Sequence, residues 1–156
     1  MTLRRPATRF LAAAILALAA DLAGAAGPTP VTTPATTAAP ADGKEHAIFG
    51  VSDDDTKKWN LTLGNIGNAI DGLGADAADI ELVVYGPGIA MLKKDSPVAD
   101  KIAAAQKKGV RIVACQNSMR GYNLQPADLA PGVGVVPSGV VELIRRQHAG
   151  YAYVRS

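Results

Sequence analysis

Residues 110–118, VRIVACQNS, contain the unit on which this chain is built, a short apolar run followed directly by polar residues. The run at 110–114 is rich in β-branched residues and predicts a buried strand. Cys115 ends that strand, and the polar residues after it predict the first turn of a helix. A strand that passes straight into a helix is typical of parallel α/β proteins.

The same alternation continues on both sides of this stretch. Five apolar residues fall at helical spacing before Gly74, which ends their helix: Trp59, Leu63, Ile66, Ile70 and Leu73. Further helices are predicted at 89–94, 97–108 and 140–148, and further strands at 46–52, 80–85, 133–136 and 151–154. Strands separated by helices are joined by right-handed crossovers. The sequence therefore predicts an α/β domain with a five-stranded parallel sheet covered on both faces.

Three segments are distinguished along the chain. Residues 1–25 have the charged start, the apolar run at 10–20 and the small residues at 23–25 of a cleavable secretory signal peptide. Residues 26–43 form a Pro/Thr/Ala-rich linker with too little apolar surface to fold, and residues 44–156 form the domain. This organisation predicts export by the general secretion route to the periplasm or the medium, with no membrane attachment after cleavage. An uncleaved membrane anchor is the alternative.

Charge and composition exclude several classes of function. The three arginines and one aspartate of residues 1–25 leave 13 basic and 13 acidic residues after them, without the basic excess that nucleic acid or an anionic membrane requires. Cys115 is the one cysteine, which excludes an internal disulfide, a dithiol redox pair and a multi-thiolate metal site. His46 and His148 show no metal-ligand spacing, and no glycine-rich cofactor motif is present. Neither a metal nor a cofactor is expected.

Cys115 is the candidate catalytic residue. It is predicted to lie at the carboxyl edge of the sheet, where ligands bind in parallel α/β proteins. The start of a helix lowers the pKa of a thiol, because its N–H groups and partial positive charge stabilise the thiolate. Gln116 and Asn117 are predicted to be polar neighbours in the binding site, and Ser118 is a further donor. The competing interpretation is a buried cysteine that packs as a small apolar residue.

Other candidate binding residues flank the same edge. Gly86 and Gly88 lie in the turn after the second predicted strand and are predicted to form part of the pocket wall. Asn60 lies near the N-terminal end of the first long helix and is predicted to line this edge. The simpler alternatives are a tight strand-to-helix turn for the glycines and a solvated side chain for Asn60.

The order of motifs along the domain resembles that of the DsrE/DsrF-like family, and of its exported branch in particular. The segments that carry the resemblance are VSDDDTKKWNLTLGNIGN (51–68), ELVVYGPGIAMLKKDSPV (81–98), AAAQKKGVRIVACQNSM (103–119) and NLQPADLAPGVGVVPSGVVELIRRQHAGYAYV (123–154). The resemblance implies a three-layer α/β/α fold and a homo-oligomer, often a trimer or hexamer. It also implies a link to sulfur metabolism, in which a cysteine carries sulfur as a persulfide between partner proteins.

One position departs from the best understood members of that family. Their sulfur-carrying cysteine stands just ahead of the helix written here as IAAAQKKGV (102–110), where this chain has Asp100-Lys101. Cys115 stands instead at the end of the following strand, where other branches of the superfamily carry a cysteine.

Three functional hypotheses follow. The first is sulfur carriage on Cys115 as a persulfide, exchanged with a donor or acceptor protein, because carriage needs one nucleophilic sulfur whereas dithiol exchange needs two. The second is a non-enzymatic module that binds a small ligand or supports assembly, with a structural Cys115. The third is a single-thiol redox sensor.

Overall fold

The computed structural model of the protein describes residues 42–155. The signal peptide predicted at 1–25 and the linker up to residue 41 lie outside the described residues. Within the described part, the strands are β1 (Glu45–Val51), β2 (Ala78–Val84), β3 (Arg111–Cys115), β4 (Gly134–Val136) and β5 (Ala152–Val154). The α-helices are α1 (Thr56–Leu73), α2 (Ala99–Lys107), α3 (Gln116–Gly121) and α4 (Gly139–His148), and two 3-10 segments cover Gly86–Leu92 and Pro126–Asp128.

The five strands form one parallel sheet in the order β4-β3-β2-β1-β5, which confirms the predicted α/β fold. The register between β1 and β2 runs from Glu45 opposite Ala78 to Val51 opposite Val84. The chain adds β2, β3 and β4 in turn on one side of β1, and then returns to place β5 on the other side. The direction of growth therefore reverses between β1 and β5.

Helices cover both faces of the sheet and complete three layers. On one face, α1 and α2 pack against the sheet through a large apolar core that includes Phe49, Ile66 and Ile102. On the other face, α4 covers a smaller cluster, of which its Leu143 and the strand residue Ile48 are members. Neighbouring strand residues such as Ile48 and Phe49 belong to different clusters, because successive side chains of a strand point to opposite faces. No helix of residues 42–155 has the length and apolar character needed to cross a membrane.

The predicted amphipathic helix is confirmed as α1, and local interactions set its ends. Asp55 is the N-cap, and its Oδ1 accepts hydrogen bonds from the N–H groups of Lys57 at 2.8 Å and Lys58 at 3.4 Å. Trp59 anchors the first turn, since its Nε1 donates to the carbonyl of Asp53 at 2.7 Å. Gly74 ends the helix with a φ of 92°, a backbone conformation that favours glycine.

The two helical segments between β2 and β3 begin at other residues than the sequence predicted. The short helix expected at 89–94 is a 3-10 segment that begins earlier, at Gly86, because Pro87 fits the first turn of a helix. The helix expected from residue 97 begins at Ala99. Ser96 forms the turn before it, since its carbonyl accepts from the N–H of Ala99 at 3.0 Å.

Candidate functional site

At the carboxyl edge of the sheet, backbone hydrogen bonds join the turn after β2 to the end of β1. The N–H of Tyr85 donates to the carbonyl of Val51 at 3.0 Å, and the N–H of Gly88 donates to the carbonyl of Ser52 at 2.9 Å. A Cβ on Gly88 would lie 3.0 Å from the oxygen of Val51, so the close contact between these backbones requires glycine. Gly86 has a φ of 56°, which also favours glycine. Both glycines therefore have a structural reason to be present at this edge.

Cys115 occupies two elements at once, since it is the last residue of β3 and the N-cap of α3. Its backbone is extended, with a φ of −74° and a ψ of 116°, and α3 begins at the next residue. The side chain of Cys115 makes no capping hydrogen bond to α3, but the backbone N–H groups of Asn117 and Ser118 favour the thiolate form of this sulfur. The cysteine is buried, with 5 % of its surface exposed.

The side chain of Ser118 adds a donor to this sulfur. Its Oγ accepts a hydrogen bond from the N–H of Gly86 at 2.7 Å, and its hydroxyl lowers the pKa of Cys115 by stabilising the thiolate. Because the N–H of Gly86 occupies one lone pair of the oxygen, the hydroxyl proton is available to the sulfur. Ser118 therefore links the turn after β2 to the Cys115 thiol.

The first residue of α4, Gly139, packs against Cys115. Its backbone N–H also favours the thiolate form of Cys115. A Cβ on Gly139 would lie 2.9 Å from the Cβ of Tyr85 and 3.3 Å from the Cβ of Cys115. This close approach is possible only because residue 139 has no side chain. The starts of α3 and α4 thus converge on one sulfur, and we refer to Cys115, Ser118, Gly139 and Gly86 as the Cys115 site.

The hydrogen bonds change the acidity of the thiol. Burial raises the pKa of Cys115, but hydrogen bonds from the Ser118 hydroxyl and from the backbone N–H groups of Gly139, Ser118 and Asn117 lower it by more. The pKa of the thiol therefore lies below that of an ordinary cysteine. A lower pKa favours the thiolate, which is the nucleophilic form of the side chain.

The side chains of Gln116 and Asn117 take no part in this arrangement. Gln116 is exposed and lines a pocket of about 260 Å³ together with Met119, Arg120 and others. The amide oxygen of Asn117 accepts a hydrogen bond from the guanidinium of Arg120. Asn117 therefore contributes its backbone N–H to the sulfur, and its side chain holds α3.

Asn60 lies in a groove of about 230 Å³ between α1 and α2. Its amide nitrogen donates to the carbonyl of Thr56 at 2.8 Å, and its amide oxygen accepts from the ammonium of Lys101. These contacts direct the side chain into the groove. The structure does not bring it to Cys115.

Sequence reasoning placed the turn that contains Gly139 at the carboxyl edge without linking it to Cys115, and it ranked Ser118 below its neighbours. Ser118 is the third residue after the cap of α3, a position from which a side chain reaches back to the cap, and this signal was present in the sequence. Gly139 carries no comparable signal, because its contact with Cys115 depends on how α4 returns over the sheet. Within residues 42–155, no group of three or more His, Cys, Asp or Glu side chains is arranged to hold a metal ion.

Comparisons with known proteins agree with this fold. The model of the DsrE/DsrF-like family matches residues 46–155. A solved protein of unknown function, MTH1491 from Methanobacterium thermoautotrophicum, is 34 % identical with a TM-score of 0.70, over 72 % of this chain and 100 % of that one. No curated protein matches the sequence.

Two further solved structures share the fold at lower identity. The ychN protein from E. coli is 14 % identical with a TM-score of 0.58, over 72 % of this chain and 99 % of that one. The conserved protein of unknown function BT1422 from Bacteroides thetaiotaomicron is 17 % identical with a TM-score of 0.60, over 75 % of this chain and 97 % of that one.

Proposed function

The chain belongs to the DsrE/DsrF-like family, a family related to sulfur relay, and from that premise we propose that it carries reduced sulfur as a persulfide on Cys115. The observation that supports this proposal is the convergence of two helix starts on one sulfur. The backbone N–H groups of Gly139, Ser118 and Asn117 and the Ser118 hydroxyl favour its thiolate form and lower the pKa of the thiol. Donors that stabilise a thiolate also stabilise the anion of a persulfide, because both carry the negative charge on sulfur.

Sulfur carriage needs no oxidant and no cofactor. The Cys115 thiolate attacks the outer sulfur of a donor persulfide, R–S–S⁻, and forms a new S–S bond. The S–S bond of the donor breaks, and R–S⁻ leaves with the bonding electron pair. One anionic persulfide and one thiolate are present before and after the step, so charge and oxidation state balance. The reverse reaction delivers the sulfur to an acceptor.

The location, partners and oligomeric state of the protein belong to the same proposal. We propose export through the signal peptide predicted at 1–25, exchange of sulfur with a donor or acceptor protein, and a homo-oligomer such as a trimer or hexamer. The apolar side chains on α4 support an oligomer, since Val140, Val141 and Ile144 are 51 %, 41 % and 48 % exposed on this helix, which covers one face of the sheet.

The burial of Cys115 favours a second candidate function. With 5 % of its surface exposed, the cysteine has little direct access to a reagent or partner. A module that binds a small ligand or supports assembly has no need of an exposed sulfur, and in it Cys115 packs as a small apolar residue.

Treatment with polysulfide separates the candidates. The purified mature protein is treated with polysulfide and its mass is measured intact. Sulfur carriage predicts the addition of one sulfur atom, which prior alkylation of Cys115 blocks and which Cys115→Ser lacks. A covalent dimer or a mixed disulfide in place of the added sulfur would identify a redox sensor. An unmodified mass would contradict carriage and favour the module.

A further inference from the structure

A second pocket lies at the carboxyl edge, next to the Cys115 site and outside its hydrogen bonds. It has a volume of about 320 Å³, and we refer to its six lining residues as the switch pocket: Gly50, Ser52, Asp53, Tyr85, Tyr153 and Arg155. They belong to the carboxyl ends of β1 and β5 and to the residue after β2. Strand order reverses between β1 and β5, and parallel sheets bind ligands at such reversals.

The wall of the switch pocket is built by close packing. The ring of Tyr153 lies against Gly50, where an added Cβ would be 3.1 Å from the phenol oxygen and 3.2 Å from Cε2. Any side chain at residue 50 would displace this ring. Tyr85 forms another part of the wall and also packs closely against Gly139, whose N–H favours the Cys115 thiolate. Tyr85 is therefore in contact with both the switch pocket and the Cys115 site.

The charges of the switch pocket are of opposite sign. Arg155 is exposed and forms no ion pair or hydrogen bond with the other residues of the 42–155 region. Asp53 is also exposed and pairs with Lys58 at 3.1 Å across the surface. Exposed pairs of this kind are weak, so the Asp53 carboxylate remains available to a ligand cation. A guanidinium binds a carboxylate through two parallel hydrogen bonds, and the faces of tyrosine rings attract cations.

A pocket with one cation, one anion and two aromatic rings fits a zwitterion. We propose that the switch pocket binds a small zwitterionic thiol, an α-amino acid or short peptide, whose carboxylate pairs with Arg155 and whose ammonium pairs with Asp53. This inference rests on the proposed function, because the thiol is the acceptor of the sulfur held on Cys115.

The transfer to such an acceptor balances without a further reagent. The thiolate of the bound molecule attacks the outer sulfur of the Cys115 persulfide and forms a new S–S bond. The S–S bond to Cys115 breaks, and Cys115 keeps the electron pair as a thiolate. The product is the persulfide of the small thiol, and the site is ready for the next sulfur.

The test uses a ligand that binds without reacting. S-methyl-L-cysteine keeps both charges but has no thiol, so its binding to the full mature protein is independent of Cys115 reactivity. It is titrated by calorimetry beside two analogues, methylthio-propionate without the ammonium and methylthio-ethylamine without the carboxylate. The zwitterion is expected to bind at least about tenfold more tightly than either analogue, since each lost ion pair removes a charge-assisted hydrogen bond.

Variants assign the binding to the switch pocket. Arg155→Gln is expected to weaken S-methyl-L-cysteine binding by about tenfold or more, and Asp53→Asn by a similar factor. The matched control is Arg145→Gln, at an exposed arginine on α4, which is expected to leave the affinity unchanged.

Either of two results would overturn the inference: no saturable binding to the wild-type protein, or equal affinity in Arg155→Gln. The polysulfide experiment tests sulfur carriage on Cys115 independently of ligand binding. A switch pocket that binds no ligand is therefore distinguishable from a Cys115 that carries no sulfur.

Discussion

Removal of the Ser118 hydroxyl is the most informative change to the Cys115 site. Ser118→Ala deletes the one side-chain donor to the sulfur and keeps the three backbone donors. It also removes the acceptor of the Gly86 N–H, which lies 2.7 Å from Oγ in a part-buried position. Two quantities are therefore expected to change together, the pKa of the thiol and the free energy of unfolding.

The size of both effects is set by known hydrogen-bond energies. A hydrogen bond to a charged group contributes about 1.5 to 3 kcal/mol, so loss of the Ser118 hydroxyl is expected to raise the pKa of Cys115. The Gly86 N–H loses its partner, which costs about 1 kcal/mol of stability because the group is only part-buried.

Absorbance of the thiolate as a function of pH measures the first effect, and urea unfolding measures the second. Ser138→Ala is the matched control, since this serine precedes Gly139 but makes no side-chain hydrogen bond to the start of α4. It is expected to leave the pKa of Cys115 unchanged. An unchanged pKa of Cys115 in Ser118→Ala would show that the Ser118 hydroxyl does not stabilise the thiolate.

Three further predictions concern the rest of the domain. Glu81 is fully buried, and its Oε2 binds Arg111 at 2.6 Å and Arg146 at 2.7 Å. Glu81→Gln is therefore expected to lower the free energy of unfolding in urea by up to about 3 kcal/mol. An unchanged midpoint of urea unfolding would contradict this. Gly139→Ala places a methyl group 2.9 Å from the Cβ of Tyr85, so the free energy of unfolding is expected to fall by about 1 to 3 kcal/mol. The pKa of the Cys115 thiol, measured by thiolate absorbance, is expected to rise. If the methyl group is tolerated, neither quantity will change. The pKa of Cys115 is lowered in the folded protein, so the unfolded chain keeps its thiol proton to higher pH. The free energy of unfolding of the wild-type protein, relative to that of Cys115→Ser, is therefore expected to rise with pH between the folded pKa and the ordinary value of about 8.5. A difference between the two proteins that stays constant over this pH range would refute the prediction.

The fold was predictable from local sequence features that the structure retains. The spacing of apolar residues from Trp59 to Ile70 required one buried helical face, whereas Leu73, which was expected on the same face, is 43 % exposed in the last turn. Asp55 and Gly74 define the ends of the helix. Short β-branched runs between helices allowed one parallel sheet, which is observed. The strand order, with β5 beside β1, depends on the path of α4 and has no equivalent signal in any single segment.

The site was predictable only in part, because its contacts join distant segments. The position of Cys115 at the end of β3 followed from the sequence, whereas its contact with Gly139 requires α4 to return over the sheet. The choice of Ser118 over Gln116 and Asn117 depends on side-chain direction within one helical turn. The ELVV run likewise gave no indication that the charge of Glu81 is buried. Its partner Arg111 stands opposite it in the neighbouring strand, a register that becomes visible only when the strands pair.

Alkylation of Cys115 in the native protein tests sulfur carriage most directly, because a carrier must expose its sulfur while folded. The protein is treated with iodoacetamide at neutral pH, with and without denaturing urea, and the rate is followed by intact mass. The folded protein is expected to react, and Ser118→Ala is expected to react more slowly because less of its thiol is ionised. Labelling of Cys115 only after unfolding would rule out sulfur carriage and identify a structural cysteine.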